Sequence, residues 1–257
     1  MFTLGAFDAA ATDGLTAILR TWNSLPAPDS QTVETPGVDG ALYAETTLGQ
    51  GAWTFDLYAI AGTPDQVLAI THQVAGALNP KMGLRPFTID DPGWVWQAAA
   101  ASPLKWARGL WHPGVQCQLL AEVTLVTPDP YAYAAPDETW QRTTPGGLTF
   151  TRQLGNAPSY PTIEVQATLT AAQQVTITIA GRSIDVTGPL TSSQVLRLDY
   201  HTLDFGVWQG AEKVASAVPR MSSYHRPELP AGEPVTTSVG TTGTLHQFRV
   251  AANSRRI

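Results

Sequence analysis

The chain has 257 residues, a net charge of −6, 43% hydrophobic residues and 14% charged residues, against about a quarter charged in an average soluble protein. Its longest basic run is Arg255-Arg256, and no apolar stretch reaches the length of a membrane span, which argues against nucleic acid and membranes as partners. So few charges leave two interpretations open: an oligomer whose subunits cover one another, or a β-protein with a surface rich in Thr, Gln and Ser.

The first forty residues contain few periodic signals. Phe2-Thr3-Leu4 predicts a short strand, and residues 14–22 predict a strand or a short helix. Residues 36–40, PGVDG, combine Pro, Gly and an Asp-Gly pair, which is typical of an exposed loop. The N-terminal segment carries two aspartates and no positive charge, so it does not resemble a secretory signal, and synthesis in a cytoplasm is expected.

One strong helix is predicted after strands at residues 41–46 and 52–60. The segment Thr63-Pro64-Asp65-Gln66 combines an N-cap, a proline for the first turn, an acidic residue at the positive end of the helix dipole and a capping-box glutamine. An apolar stripe at helical spacing follows: Val67, Ile70, Val74 and Leu78. Asn79-Pro80 ends the pattern. We expect the stripe to pack across a sheet.

Strands are predicted again downstream, at residues 85–89, 94–100, 105–111 and 115–126. The last of these alternates, with Leu120 the exception, and one face carries Val115, Cys117, Leu119, Ala121, Val123 and Leu125. Cys117 is the only cysteine of the sequence, so it is expected to be a small core residue and cannot form an intrachain disulfide.

A domain boundary is predicted just after this strand. Pro128 and Pro130 remove backbone donors and end the extended run. The segment Ala134-Ala135-Pro136-Asp137 offers no large apolar residue to either side. We therefore expect an N-terminal α+β domain at residues 1–135 and a separate C-terminal β domain at residues 136–257.

The second half predicts short strands, frequent turns and no helix. The strand candidates are Phe150 and residues 161–169, 174–180, 183–186, 195–199, 202–207 and 245–250. Such a series is typical of a β-sandwich or jelly roll. Residues 222–236 are expected to form a long loop.

No catalytic or metal-binding pattern is recognisable. The sequence lacks GxSxG, HExxH, CxxC, P-loop and GxGxxG motifs. Its five histidines are scattered, without a second ligand at metal spacing: His72, His112, His201, His225 and His246. Asp90-Asp91 is interpreted as a turn tip and Asp129 as a turn or capping carboxylate, while Asp8 and Asp13 lack the ligand density of a calcium loop. No catalytic residue, cofactor or metal site is therefore assigned.

Tryptophan is the one excess, with eight residues, four of them between positions 94 and 111. Trp94 and Trp96 share a strand face, which favours packing in a core or a subunit interface. The alternative is a set of stacking platforms for carbohydrate. Trp208 follows a strand without an obvious His, Asn or Arg cluster beside it in sequence, so the sequence offers no clear sugar site.

The order of these features resembles the distal tail proteins of long-tailed bacteriophages, the Dit-like family. The matching segments are PGVDGA (36–41), GAWTFDLYAIAG (51–62), the helix from Thr63, PKMGLRPFTIDD (80–91), TPDPYAY (127–133), GNAPSYPTIEVQ (155–166), LRLDYHTLDFGVWQG (196–210) and ELPAGEP (228–234). The resemblance covers nearly the whole chain and rests on the order of short motifs. Residues 94–111 are more aromatic than the family pattern, and residues 20–35 match nothing in it.

This resemblance implies a mainly β protein: a tail-tube-like, ring-forming domain with one packed helix at residues 1–135, then a galectin-like β-sandwich at residues 136–257. It implies a structural, non-enzymatic component of a phage tail tip or baseplate, assembled in the host cytoplasm and present in the virion. The implied partners are other copies in a hexameric ring, the tail tube protein, the tape measure protein and tail hub or tip proteins.

Fold does not carry function by itself, so a second hypothesis of a different class is kept. It is a carbohydrate-binding protein that recognises host cell-wall glycans through the C-terminal β-sandwich. A hydrolase is the third hypothesis and the one with the least support in the sequence.

Overall fold

The computed structural model of the protein describes residues 1–22, 26–34 and 41–257. Within these ranges the chain forms two compact units, Met1–Ala135 and Pro136–Arg256. The loop predicted at residues 36–40 lies outside the described residues. In the described part of the chain, no helix has the length and apolarity needed to cross a membrane.

Antiparallel strands and one α-helix build the first unit. The strands are β1 (Phe2–Leu4), β2 (Phe7–Asp8), β3 (Leu15–Trp22), β4 (Pro28–Glu34), β5 (Ala41–Leu48), β6 (Gly51–Ala61), β7 (Arg85–Ile89), β8 (Trp94–Ala100), β9 (Ala107–His112), β10 (Gln116–Thr127) and β11 (Ala132–Ala134). The helices are α1 (Pro64–Ala77) and a 3-10 turn, Pro80–Met82. The main sheet has the order β2-β1-β7-β8-β10-β6-β3; β9 pairs with β10, β11 pairs with β8, and β4 and β5 form a separate ribbon.

The pairing of β6 with β10 is the centre of this sheet. Its register runs from Cys117 opposite Ala61 to Thr127 opposite Gly51. Because side chains alternate along a strand, one face collects most of the apolar residues of both strands, with Leu120 and Tyr58 among those on the other face. The buried set on this face is Trp53, Phe55, Leu57, Ala59, Cys117, Ala121, Val123 and Leu125. The predicted alternation of β10 and the core position of Cys117 are thereby confirmed.

The placement of Val115 on that apolar face is wrong. Val115 is 80% exposed and precedes the strand, which begins at Gln116. Its backbone N–H donates to the carbonyl of His112 (2.9 Å) in a turn where Gly114 has a φ of 85°. The turn therefore takes Val115 out of the extended run, although its side chain fits the alternation. The ambiguous segment at residues 14–22 is a strand, β3.

Helix α1 packs on β6 and β10 and begins as predicted. The Thr63 hydroxyl accepts a hydrogen bond from the Gln66 backbone N–H (3.4 Å), and Pro64 is the first helical residue. The whole predicted stripe is buried: Val67, Ile70, Val74 and Leu78. The last residue of the helix is Ala77, with Leu78 as the C-cap. The hydrophobic periodicity therefore identified both the helix and the face that it buries.

The second unit is a β-sandwich. Its strands are β12 (Thr139–Arg142), β13 (Gly146–Thr151), β14 (Thr162–Thr168), β15 (Gln174–Ile179), β16 (Arg182–Thr187), β17 (Val195–Asp199), β18 (Asp204–Gln209), β19 (Glu212–Ser216), β20 (Pro234–Thr241), β21 (Thr244–Ala251) and β22 (Arg255–Arg256). One sheet has the order β12-β21-β14-β17-β18-β19 and the other β13-β20-β15-β16. Side chains of both sheets share one core, for example Ile163 and Phe248 with Ile177 and Val239. Its galectin-like character stays a prediction.

Four strands of this unit were not predicted: β12, β19, β20 and the two-residue β22. β12 and β19 are the outer strands of their sheet and bury little, so their sequences lack a clear apolar alternation. β20 places the hydroxyl of Thr237 toward the interior, where it donates to the carbonyl of Thr178 (2.7 Å). The loop predicted at residues 222–236 is shorter than expected, because β20 begins at Pro234.

Two carboxylates at the start of the second unit accept hydrogen bonds from backbone groups of later segments of the same unit. Asp137 accepts hydrogen bonds from the backbone N–H groups of Asn253 (2.6 Å) and Ser254 (2.9 Å). Glu138 accepts from the N–H groups of Gln153 and Leu154, both at 2.9 Å. Hydrogen bonds to charged groups each contribute about 1.5–3 kcal/mol. These bonds give the second unit an anchored N-terminus of its own.

Burial of the helix stripe predicts the effect of Val74→Asp. Val74 is fully buried, so a carboxylate there has no partner and should destabilise the first unit by at least about 3 kcal/mol. His72 is exposed on the same helix, and His72→Asp should cost less than about 1 kcal/mol. Chemical denaturation of both variants measures this difference. Equal losses of stability would show that the buried face of α1 is misassigned.

The anchored start of the second unit predicts that residues 137–257 fold alone. That fragment should give a dispersed amide spectrum and one cooperative transition, because it keeps its whole core and both carboxylates. A matched fragment starting at Thr139 lacks Asp137 and Glu138 and should melt at a lower temperature. A collapsed amide spectrum for residues 137–257 would mean that this unit depends on strands from the first half.

Candidate functional site

The residues considered as metal ligands do not come together. The described residues contain no group of three or more His, Cys, Asp or Glu side chains that could hold a metal ion. His72 is exposed on α1, and the Nε2 of His246 forms a hydrogen bond with the Thr168 hydroxyl (2.8 Å). That the protein needs no metal or cofactor stays a prediction.

The aspartates singled out in the sequence serve as turn and capping groups. Asp90 has a φ of 49° and contacts the N-terminal ammonium group of Met1, while Asp91 accepts a hydrogen bond from the Gly93 N–H (3.0 Å). Asp129 accepts from the Tyr131 N–H (3.1 Å) and from the Tyr133 hydroxyl (2.6 Å). The turn interpretation of these three carboxylates is therefore confirmed.

The tryptophans at positions 94–111 mainly pack against the core of the first unit. Trp96 is buried with its ring 5.0 Å from that of Trp53 in an edge-on contact, and Trp94 packs against the same core. Trp106 and Trp111 are partly buried there as well, with the Arg108 guanidinium 4.4 Å from the Trp111 ring. The packing interpretation is confirmed for Trp94 and Trp96.

Three side chains of the second unit have pKa values moved mainly by burial. Burial raises the pKa of Tyr200, and nearby Tyr224 acts in the same direction. Burial lowers the pKa of His225, with Arg182 adding to the effect, and burial also lowers the pKa of Arg152. Arg152 is fully buried and donates to the carbonyls of Ala157 and Pro230. The desolvation of packed side chains explains these shifts.

Among the open sheet edges of the first unit, those of β3 and β9 expose large apolar side chains. Among the described residues, β3 pairs only with β6 and β9 pairs only with β10, so each leaves one row of backbone donors and acceptors unpaired. Every residue of β9 except the half-buried Trp111 is exposed, including Leu110. β3 exposes Ile18 and Trp22. An exposed apolar edge is a template for pairing with another chain.

The sheet face opposite α1 carries a charged cluster between these edges. Asp56 of β6 lies opposite Glu122 of β10, and Arg20 of β3 contacts both carboxylates, at 3.8 Å from Asp56. These side chains are largely exposed, so each ion pair contributes at most about 1 kcal/mol. No apolar layer covers this face in the described part of the chain.

The second unit presents a charged row on the outer face of its six-stranded sheet. Arg249, Glu164 and Arg197 lie opposite one another on β21, β14 and β17. Arg249 donates to Glu164 (3.0 Å), and the Arg197 guanidinium lies 5.7 Å from the ring centroid of Trp208 on β18. This arginine is the partner of Trp208 that the sequence did not reveal, because the two residues meet only through the β17–β18 register.

Comparisons with known proteins define the fold. No protein-family model matches the chain, and no curated protein matches its sequence. Its fold is nevertheless one found in phage hub and baseplate structures. The crystal structure of the Dit protein of phage SPP1, described as a paradigm of the hub adsorption apparatus in phages that infect Gram-positive bacteria, matches with a TM-score of 0.70 at 14% identity, covering 100% of this chain and 98% of that one.

Two structures of the phage P2 baseplate in its activated conformation also match. The form with Ca has a TM-score of 0.50 at 8% identity and covers 98% of this chain and 93% of that one. The form with Sr has a TM-score of 0.52 at 8% identity, and the match covers 95% of this chain and 92% of that one. At these identities the likeness establishes a shared fold, and the mainly β, Dit-like fold implied by the resemblance is thereby confirmed.

Proposed function

We propose that this protein is a structural subunit of a phage tail tip or baseplate, with the role of a distal tail protein. The observation that carries the proposal is the match of the whole chain, through both units, to the fold of the SPP1 Dit protein. The protein acts in the virion by holding other proteins in place and catalyses no reaction. The turn roles of Asp90, Asp91 and Asp129 are compatible with a structural protein.

In this proposal, the ring forms through the open edges of β3 and β9 in the first unit. β3 and β9 lie on opposite sides of the β6–β10 pair, so the edge of one copy can pair with the other edge of the next. A contact between two different surfaces either closes into a ring or extends into a filament. We favour a closed ring, hexameric as in the Dit-like family. Edge pairing would satisfy the open backbone groups and cover Leu110 and Ile18.

The remaining partners follow from the same role. The ring would join the tail tube protein on one side to the hub or tip proteins on the other, with the tape measure protein at the tube end. The low fraction of charged residues, 14% of the chain, supports extensive coverage by neighbouring subunits.

Leu110→Lys tests the ring. Leu110 is 47% exposed on β9, and a lysine on an edge strand opposes pairing with another strand. We expect the wild-type chain to have the mass of a closed oligomer by light scattering at high micromolar concentration, and Leu110→Lys to shift it toward the monomer. Because the residue is exposed, the stability of the subunit should change by less than about 0.5 kcal/mol.

Val214→Lys is the matched control. Val214 is also 47% exposed but lies on β19 of the second unit, so its substitution should leave the mass unchanged. A wild-type chain that stays monomeric at high micromolar concentration would refute the ring. Loss of assembly in Val214→Lys alone would place the contact in the second unit.

A further inference from the structure

We propose that the outer face of the six-stranded sheet in the second unit binds an uncharged saccharide, centred on Trp208 and Arg197. The proposal does not depend on the ring, because the assembly surface lies in the first unit. Its site is defined by residues that are distant in sequence and adjacent in the sheet.

The strand register builds a continuous polar row. Gln141, Arg249, Glu164, Arg197 and Gly206 lie opposite one another on five successive strands, β12, β21, β14, β17 and β18. At a strand spacing of about 4.8 Å the row is about 19 Å long. The residues that alternate with it, such as Val165, Leu198 and Phe205, point into the core. The row is therefore a flat, rigidly supported platform.

Two N–H groups at one end of the row lack acceptors. The Nε of Arg197 and the indole Nε1 of Trp208 are both buried, and neither has a hydrogen-bond partner in the described part of the chain. Buried donors are nearly always paired, so two unpaired donors on neighbouring side chains call for an explanation. An incoming hydroxyl group can accept from either donor.

Arg197 is placed to act as a movable cover for Trp208. Its side chain is 40% exposed, and its ion pair with Asp199 is long at 3.6 Å. Because the guanidinium lies over the indole ring at 5.7 Å, its movement would uncover the ring and both N–H groups together. A sugar ring could then stack its C–H face on the indole while its hydroxyls bond to Arg197.

The charges of this face favour an uncharged ligand. Each cation is paired with an anion: Arg249 with Glu164, Arg197 with Asp199, and Lys213 with Asp204. A polyanion needs cations that are not already neutralised. The core of a protein interface is depleted of charged residues, unlike this face. Sugar hydroxyls both donate and accept, so they can bond to the carboxylates and to the arginines of such pairs.

Tryptophan emission of the full-length chain tests the site. Maltose, lactose and N,N′-diacetylchitobiose are each titrated into the millimolar range, with inorganic phosphate as a charged probe. We expect a saturable change with at least one disaccharide, no such signal in Trp208→Phe, and binding weakened at least about tenfold in Arg197→Ala and in Glu164→Gln. Thr149→Ala, a substitution at an exposed position on the other sheet, is the control and should bind like the wild type.

The wild-type titration alone can overturn the proposal. No response to any of the three disaccharides refutes it, and so does a response to phosphate of the same size. A response that Trp208→Phe or Arg197→Ala leaves intact would also refute the assigned site. Light scattering of the same samples shows whether the ring is present, so failure of sugar binding and failure of assembly are told apart.

Discussion

The pairing of β6 with β10 determines which surfaces of the first unit are buried and which are open. Its long register places most apolar side chains of both strands on one face, beneath the stripe of α1 that includes Val67 and Val74. The opposite face carries the charged side chains of Asp56 and Glu122 together with apolar ones such as Leu120. Beyond β6 the sheet ends in β3, and beyond β10 it continues through β8, β7 and β1 to β2, while β9 pairs with the other end of β10 and has an open edge of its own. The alternation of β6 and β10 thus separates the core from the charged cluster, and the strand order leaves the open edges of β3 and β9.

The antiparallel sheets of the two units expose different kinds of surface. In the first unit, unpaired backbone groups and the exposed Leu110 and Ile18 lie along strand edges, which suits contact with another copy of the chain. In the second unit, both sheets share one closed core, and its six-stranded sheet shows a face of paired charges around Trp208. The proposed assembly contact and the proposed ligand site therefore lie in separate units of the chain and can fail independently.

The sequence predicts local structure well and contacts between distant segments poorly. The cap at Thr63 and the stripe through Val74 identify α1, because both signals lie within one helix. Strand register depends on residues far apart: Arg249 and Glu164 are 85 positions apart and form one ion pair. Edge strands such as β19 bury too little to leave an alternating pattern. For these reasons neither the open edges nor the Arg197–Trp208 pair could be read from the sequence.

Amide hydrogen exchange of β3 and β9 tests most directly whether the open edges form the assembly contact. In dilute protein, the outward-facing N–H groups of both strands, except that of Leu15, which donates to the Thr12 carbonyl, have no acceptor in the described part of the chain and should exchange rapidly, while β6 and β10 are protected. At high concentration both edges should become protected together, because each edge of one copy pairs with the other edge of the next. Assembly without protection of β3 and β9, or protection of only one of them, would contradict this mode of association.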